Sequence, residues 1–219
     1  MADRRTIRYL AFASLALLAT AAVAGNYGAP GPAPRFDYYV LSLSWSPSYC
    51  VTHSNDRDEC NKGFGFVLHG LWPQYRNGRW PQHCHTDTAP DRATVERTLA
   101  FMPSRRLIEH EWQAHGACSG LDPASYFDLA DRAFASVAVP EPLRAPHAPP
   151  TLSADGILAA FTAANPGLQR SMMAVVCRDG GDLSEVRLCL NKDSLAPQAC
   201  GAGVRSGCRH GTLTIPAVR

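Results

Sequence analysis

Two short stretches of this 219-residue chain concentrate side chains that can move protons. The first is His69-Gly70-Leu71-Trp72-Pro73-Gln74, and the second is His110-Glu111-Trp112-Gln113-Ala114-His115-Gly116-Ala117-Cys118. Imidazoles titrate near neutral pH, so two of them can divide the work of a base and an acid. A metal reading fits the second stretch poorly. A helical zinc site of the His-Glu-x-x-His kind needs its two His four residues apart on one face. His110 and His115 are five apart, about 140° around an ideal helix. Glu111 and His115 are four apart and share a face. A carboxylate beside an imidazole orients it and favours its charged form. The spacing therefore predicts acid–base chemistry and no metal.

These residues need elements to hold them. Phe36 to Trp45 alternates and is rich in aromatic and aliphatic residues, which predicts a strand ended by Ser46-Pro47. Residues 50–63 read as a polar loop between Cys50 and Cys60. Phe64 to His69 is short, apolar and bounded by glycines, so it reads as a buried strand delivering His69 at its end. Such a strand mouth is a common place for function. Residues 73–90 read as loop, carrying His83, Cys84 and His85. Helices follow over Asp91–Phe101, Ser104–Ala114 and Pro123–Ala138, the last with Asp122 as cap and Pro at its first position. Residues 140–150 hold five prolines and read as loop. A helix over Asp155–Ala164 ends at Asn165-Pro166-Gly167, and strands are expected over Ser171–Cys177, Glu185–Leu190 and Thr212–Ile215. Strands and helices mix without regular alternation, so the class is α+β, a mostly antiparallel central sheet packed with several helices.

The ends of the chain and its cysteines describe a compartment. Arg4, Arg5 and Arg8 precede an apolar run from Tyr9 to Ala19, and Ala22-Val23-Ala24 follows. This pattern reads as a secretory signal peptide over 1–24. It leaves one domain over 25–219, opening with a Pro/Gly-rich stretch at 25–34. Without the leader the chain has 18 basic and 18 acidic residues. A basic footprint is therefore absent, and any case for nucleic acid rests on a site. All eight cysteines lie after residue 24, which predicts a disulfide framework in an oxidising compartment. Spacing alone leaves 105 pairings open.

The two histidine stretches, taken together, resemble the two active-site segments of the ribonuclease T2 family. The residues that carry the resemblance are His69-Gly70-Leu71-Trp72-Pro73 and His110-Glu111-Trp112-x-x-His115-Gly116. Ser44-Trp45-Ser46-Pro47, Phe66-Val67-Leu68 and the cysteine after the second segment agree with it. The resemblance covers most of the chain after the leader and is weakest over 140–170.

It implies an endonuclease for single-stranded RNA. The ribose 2′-OH attacks the neighbouring phosphorus, the 5′-oxygen leaves, and a 2′,3′-cyclic phosphate forms before opening to a 3′-phosphate. On this resemblance His115 is the base, His69 the acid and His110 the phosphate ligand, with Glu111 supporting the charge. The need for a 2′-OH makes DNA a non-substrate. No cofactor is required, and we expect a monomer that is secreted or periplasmic. Trp72 and Gln74 are the substrate-binding candidates, with Tyr75 and Trp80 weaker ones, and base specificity is expected to be low. The implied disulfides are Cys50–Cys60, Cys84–Cys118, Cys177–Cys208 and Cys189–Cys200.

The chain departs from the family pattern at Ala114, where a Lys is usual. A cation there neutralises charge on the phosphorane, an effect often worth a few kcal/mol. Arg76, Arg79, Arg105 and Arg106 are the nearest candidates in chain order to replace it, and Gln113 offers only a neutral donor. The alternative reading is a catalytically weakened RNA-binding or storage homologue. His83 and His85 read as structural, and His53, His147 and His210 have no supporting context.

Overall fold

In the computed structural model, residues 35–144, 148, 150–179, 181–209 and 211–219 are described. The leader expected over 1–24, His147 and His210 lie outside them. Four antiparallel strands form one sheet, and helices pack against it. The strands are β1 (Tyr38–Trp45), β2 (Phe66–Gln74), β3 (Met173–Arg178) and β4 (Asp182–Asn191), in the spatial order β2-β1-β4-β3. The helices are α1 (Ser46–Thr52), α2 (Arg92–Thr98), α3 (Arg105–Ala114), α4 (Pro123–Ala135), α5 (Glu141–Arg144) and α6 (Ala154–Ala164). The α+β class read from the sequence is the class observed.

Period-2 alternation sorts the sheet into two faces. Tyr39, Leu41, Leu43 and Trp45 of β1 join the main core with Leu68 and Leu71 of β2 and Val186, Leu188 and Leu190 of β4. The helices cover this face with Ile108, Trp112, Tyr126, Phe127 and Phe161. The opposite face carries Val40, Ser42 and Ser44 on β1. Across from them stand Gly70 and Trp72 on one side and Glu185, Arg187 and Cys189 on the other.

Capping explains why the helices start where they do. Asp91, Ser104, Asp122 and Ser153 each accept a hydrogen bond from the backbone N–H three residues on. Four disulfides join Cys50–Cys60, Cys84–Cys118, Cys177–Cys208 and Cys189–Cys200, the pairs the resemblance implies.

Three expectations need correction. Ser46-Pro47 ends the strand as expected, but a helix follows it and takes in the first residues, 50–52, of the stretch read as loop. Ser46-Pro47 starts this helix, α1, because proline at the first turn of a helix forgoes only an N–H that has no helical partner. The strand containing His69 does not end there. It runs on to Gln74, paired with β1 on both sides of an irregularity at His69, so His69 and Gly70 lie inside it. The chain near 212–215 contributes bridges, Ser153 with Thr212 and Asp182 with Thr214, and no full strand.

Candidate active site

The placement of His69 starts with an irregularity in β2. Ser42 pairs with Gly70 and Leu43 with Leu68, so His69 is the extra residue of a β-bulge. Bulges re-aim a side chain relative to regular pairing. The His69 side chain is 32% exposed, and its Nδ1–H donates to Oε1 of Glu185 at 2.7 Å. Glu185 belongs to β4, two strands away. Side chains of β2 and β4 meet because the intervening β1 presents only Ser42 and Ser44 between them.

Gly70 answers a different need. A Cβ built there would sit 2.0 Å from Oε2 of Glu111 and 2.3 Å from Nε1 of Trp72. The missing side chain lets Glu111 reach across the edge strand β2, where the Trp72 indole N–H donates to its Oε2 at 2.7 Å. Glu111 is 1% exposed, and its Oε1 lies 3.6 Å from Nε2 of His69. No hydrogen-bond partner satisfies Oε1 of Glu111 or Nδ1 of His115 among the described residues.

The expected Glu111–His115 pairing on one helix face is not formed. His115 is the residue that ends α3, with φ −133° and ψ −48°, so the four-residue helical spacing fails at its last member. Glu111 turns to Trp72 and His69 instead. His115 stands against Trp72 from another side, with ring centroids 5.3 Å apart, while the His69 ring meets Trp72 edge-on at 5.1 Å. His110 is exposed and shares a groove of about 350 Å³ with His69, Arg106, Leu107, Tyr49 and His53.

Electrostatics separate the histidines. Burial pulls the His69 imidazolium down, but the Glu185 hydrogen bond and the charges of Glu111 and Glu185 outweigh it, and its pKa is raised. Burial depresses His115 to about 3, helped by the positive charges of His69, His110 and His83. Burial also lowers His110, followed by its histidine neighbours and Arg106. Among carboxylates, burial lifts Glu111 to about 7 against the pull of His69 and the Trp72 hydrogen bond. Glu185 resists its own burial and is held at about 2 by His69 and Arg187. The two imidazoles are thus biased in opposite directions, His69 towards its charged form and His115 towards its neutral form.

The remaining candidates are spread unevenly. Gln74 ends β2 on the same face as Trp72 but is 7% exposed, so its side chain is covered. Trp80 is 50% exposed and donates to Gln82, and Tyr75 opens the turn after β2. Ala114 is buried, and its carbonyl accepts from the backbone N–H of His83 at 2.9 Å. His85 is exposed beside Asp87. Of the four arginines considered as replacement cations, Arg106 lines the groove. Arg105 pairs with Glu109, and Arg76 and Arg79 lie in the turn after β2, where their backbone N–H groups donate to Asp37 and Asn77.

Sequence reasoning missed Glu185 and Arg187. Arg187 donates through Nε to Oε2 of Glu185 at 2.7 Å and lies over the Trp72 ring at 5.1 Å. The available signal was two opposite charges at i and i+2 in the segment 185–190, whose other residues are apolar, which places both on one face. His53 was missed as a neighbour of the groove, where it stacks on Tyr49 at 4.1 Å. Among the described residues, no group of three or more His, Cys, Asp or Glu is placed to hold a metal ion.

A ribonuclease from Aeromonas hydrophila is 48% identical over 102 residues, covering 47% of this chain and 46% of that protein. Ribonuclease I of Escherichia coli strain K12 is 30% identical over 135 residues, covering 42% of this chain and 50% of that protein. The chain spans about half the length of these relatives. Among solved structures, an RNase-related protein from Calystegia sepium superposes with a TM-score of 0.69 at 22% identity, over 85% of this chain and 100% of that one. Ribonuclease MC1 from the seeds of bitter gourd superposes with a TM-score of 0.65 at 22% identity, over 82% of this chain and 100% of that one. These likenesses establish a shared fold. The profile of the Ribonuclease T2 family matches residues 36–200, most of the chain and both histidine stretches, and the chain belongs to that family.

Proposed function

We propose that this protein is an endoribonuclease that cleaves single-stranded RNA by transphosphorylation. The observation that carries the reading is the opposite bias of two imidazoles beside one indole, His69 towards its charged form and His115 towards its neutral form. A neutral His115 accepts the 2′-OH proton as that oxygen attacks phosphorus. A charged His69 gives a proton to the departing 5′-oxygen. The products are a 2′,3′-cyclic phosphate and a 5′-OH end. Water then opens the ring to a 3′-phosphate, with the two histidines exchanging roles.

The other residues divide the electrostatic work. His110, on the groove side of His69, contacts the phosphate. Glu111 holds the charge of His69 and positions Trp72, whose ring carries a base by stacking. Gln74, being covered, serves the strand end in preference to the base. Arg106 is the groove cation that offsets the missing Lys at position 114. Metal independence is part of the proposal, as is export of a monomer over 25–219 after removal of the leader. The disulfides fit an oxidising compartment.

The test is a digest of bulk RNA by the purified protein in excess EDTA, with product ends identified by mass. Cyclic or 3′-phosphate ends with DNA untouched are expected. Cleavage that appears only on adding zinc would overturn the mechanism. Binding without cleavage under either condition would support the weakened-homologue alternative, with Ala114→Lys as the next variant.

A further inference from the structure

The acid of the proposed mechanism is enclosed by a closed circuit of contacts. From His69, Nδ1–H donates to Oε1 of Glu185 at 2.7 Å. The second oxygen of Glu185 takes Nε–H and Nη2–H of Arg187 at 2.7 and 2.6 Å. The guanidinium of Arg187 lies over the Trp72 ring at 5.1 Å, and the Trp72 N–H donates to Glu111 at 2.7 Å. Glu111 returns to Nε2 of His69 at 3.6 Å, too long for a hydrogen bond, so Nε2 has no hydrogen-bond partner within the circuit. The circuit draws on β2, β4 and α3, elements far apart in sequence.

We propose that Glu185 and Arg187 are positioning residues for the acid, Glu185 by fixing the ring of His69 so that Nε2–H faces the substrate, and Arg187 by fixing Glu185 and Trp72 together. This rests on the ribonuclease reading above. The physical case has three parts. A carboxylate on Nδ1 selects the tautomer and orientation that leaves Nε2 to do the chemistry. Glu185 is 7% exposed, so water competes little for its oxygens. A buried carboxylate needs more than one partner, and the bidentate fork of Arg187 supplies the second. The charged and titratable groups around His69 are Glu185 and Arg187 from β4, Arg178 from β3, Arg106, Glu111, His110 and His115 from α3 and its end, Tyr49 and His53 from α1 and its end, and Asp56 and Glu59 from the loop after α1. Of these, Glu185 alone hydrogen-bonds the ring.

The experiment titrates His69 by NMR in the whole protein, with Glu185→Gln, Glu185→Asp and Arg187→Gln beside the wild type, and follows RNA cleavage across pH in the same samples. Glu185→Gln is expected to move the His69 midpoint down by about one pH unit, a tenfold change in proton affinity. The alkaline limb of kcat/KM should move with it, and kcat should fall by up to about a hundredfold with KM little changed. Glu185→Asp should restore part of both, and Arg187→Gln should give a smaller shift in the same direction. Melting curves separate a folding defect from the proposed role, and Arg187→Gln keeps the question open to test if Glu185→Gln does not fold. A His69 midpoint and alkaline limb unmoved in folded variants would overturn the proposal. Absence of cleavage by the wild type would overturn the ribonuclease reading alone, since the NMR titration still decides whether Glu185 holds His69.

Discussion

A histidine acts as acid or base according to what surrounds it, and the two imidazoles beside Trp72 have contrasting surroundings. His69 sits between two carboxylates, and its pKa rises. His115 is half-buried next to other histidines, and its pKa falls to about 3. The activity profile should therefore be a bell. On its acid side kcat/KM rises as His115 loses its proton, and on its alkaline side it falls as His69 loses its own above the ordinary histidine value. Measuring kcat/KM on a dinucleotide substrate from pH 3 to 9 checks this, and an alkaline limb well below 6.5 would reverse the assignment. His69→Ala and His115→Ala should each lower kcat by about 10²–10⁴-fold, read in the same assay. Gly70 offers a steric test. A methyl group at this position collides with Glu111 and Trp72, so Gly70→Ala should cost about 1–3 kcal/mol in chemical denaturation and reduce cleavage.

At the scale of elements, local signals were strong where chain geometry is local. The four capped helices begin within a residue of where Asp91, Ser104, Asp122 and Ser153 stand, because a cap satisfies N–H groups a few residues away. Helix α1 was invisible for the opposite reason. Trp45 provides no side-chain cap, and Pro47 with the polar run behind it carries the signature of a turn. The β2 bulge was also illegible, since a bulge exists only relative to the partner strand. The Cys84–Cys118 disulfide ties the loop after β2 to the turn after α3, next to His115. It spans 34 residues, and replacing both cysteines by Ser should cost about 3 kcal/mol in denaturant unfolding. Cleavage should fall as well, because the loop carrying His83 bonds the carbonyl of Ala114. Unchanged activity in the folded variant would remove the positioning role of the bridge.

On the scale of the whole molecule, the sheet separates stability from chemistry. One face supports the helices through apolar residues at every second position. The other assembles the charged circuit over two serines. Net charge contributes little, since the chain after residue 24 carries 18 basic and 18 acidic residues. RNA should therefore be held by a few phosphate contacts near the histidines. The expected result is a shallow salt dependence, with a slope of log KM against log salt no steeper than about 2. A markedly steeper slope from kinetics at several ionic strengths would point to an extended basic track that the composition does not contain.

The sequence by itself determined the two histidine stretches, their order, the family they resemble, the α+β class and the capped helices. All of these depend on residue types and short spacings. Only the tertiary structure decided that Glu111 serves His69 and Trp72 in place of His115, that Gly70 is there to let a carboxylate pass, and that Glu185 and Arg187 complete the site. The reason is separation. Glu185 lies 116 residues from His69, and their meeting depends on the strand order β2-β1-β4 and on small side chains in the middle strand. Short-range periodicity places a side chain on a face. Which faces meet, and across how narrow a gap, is settled by the packing of the whole chain.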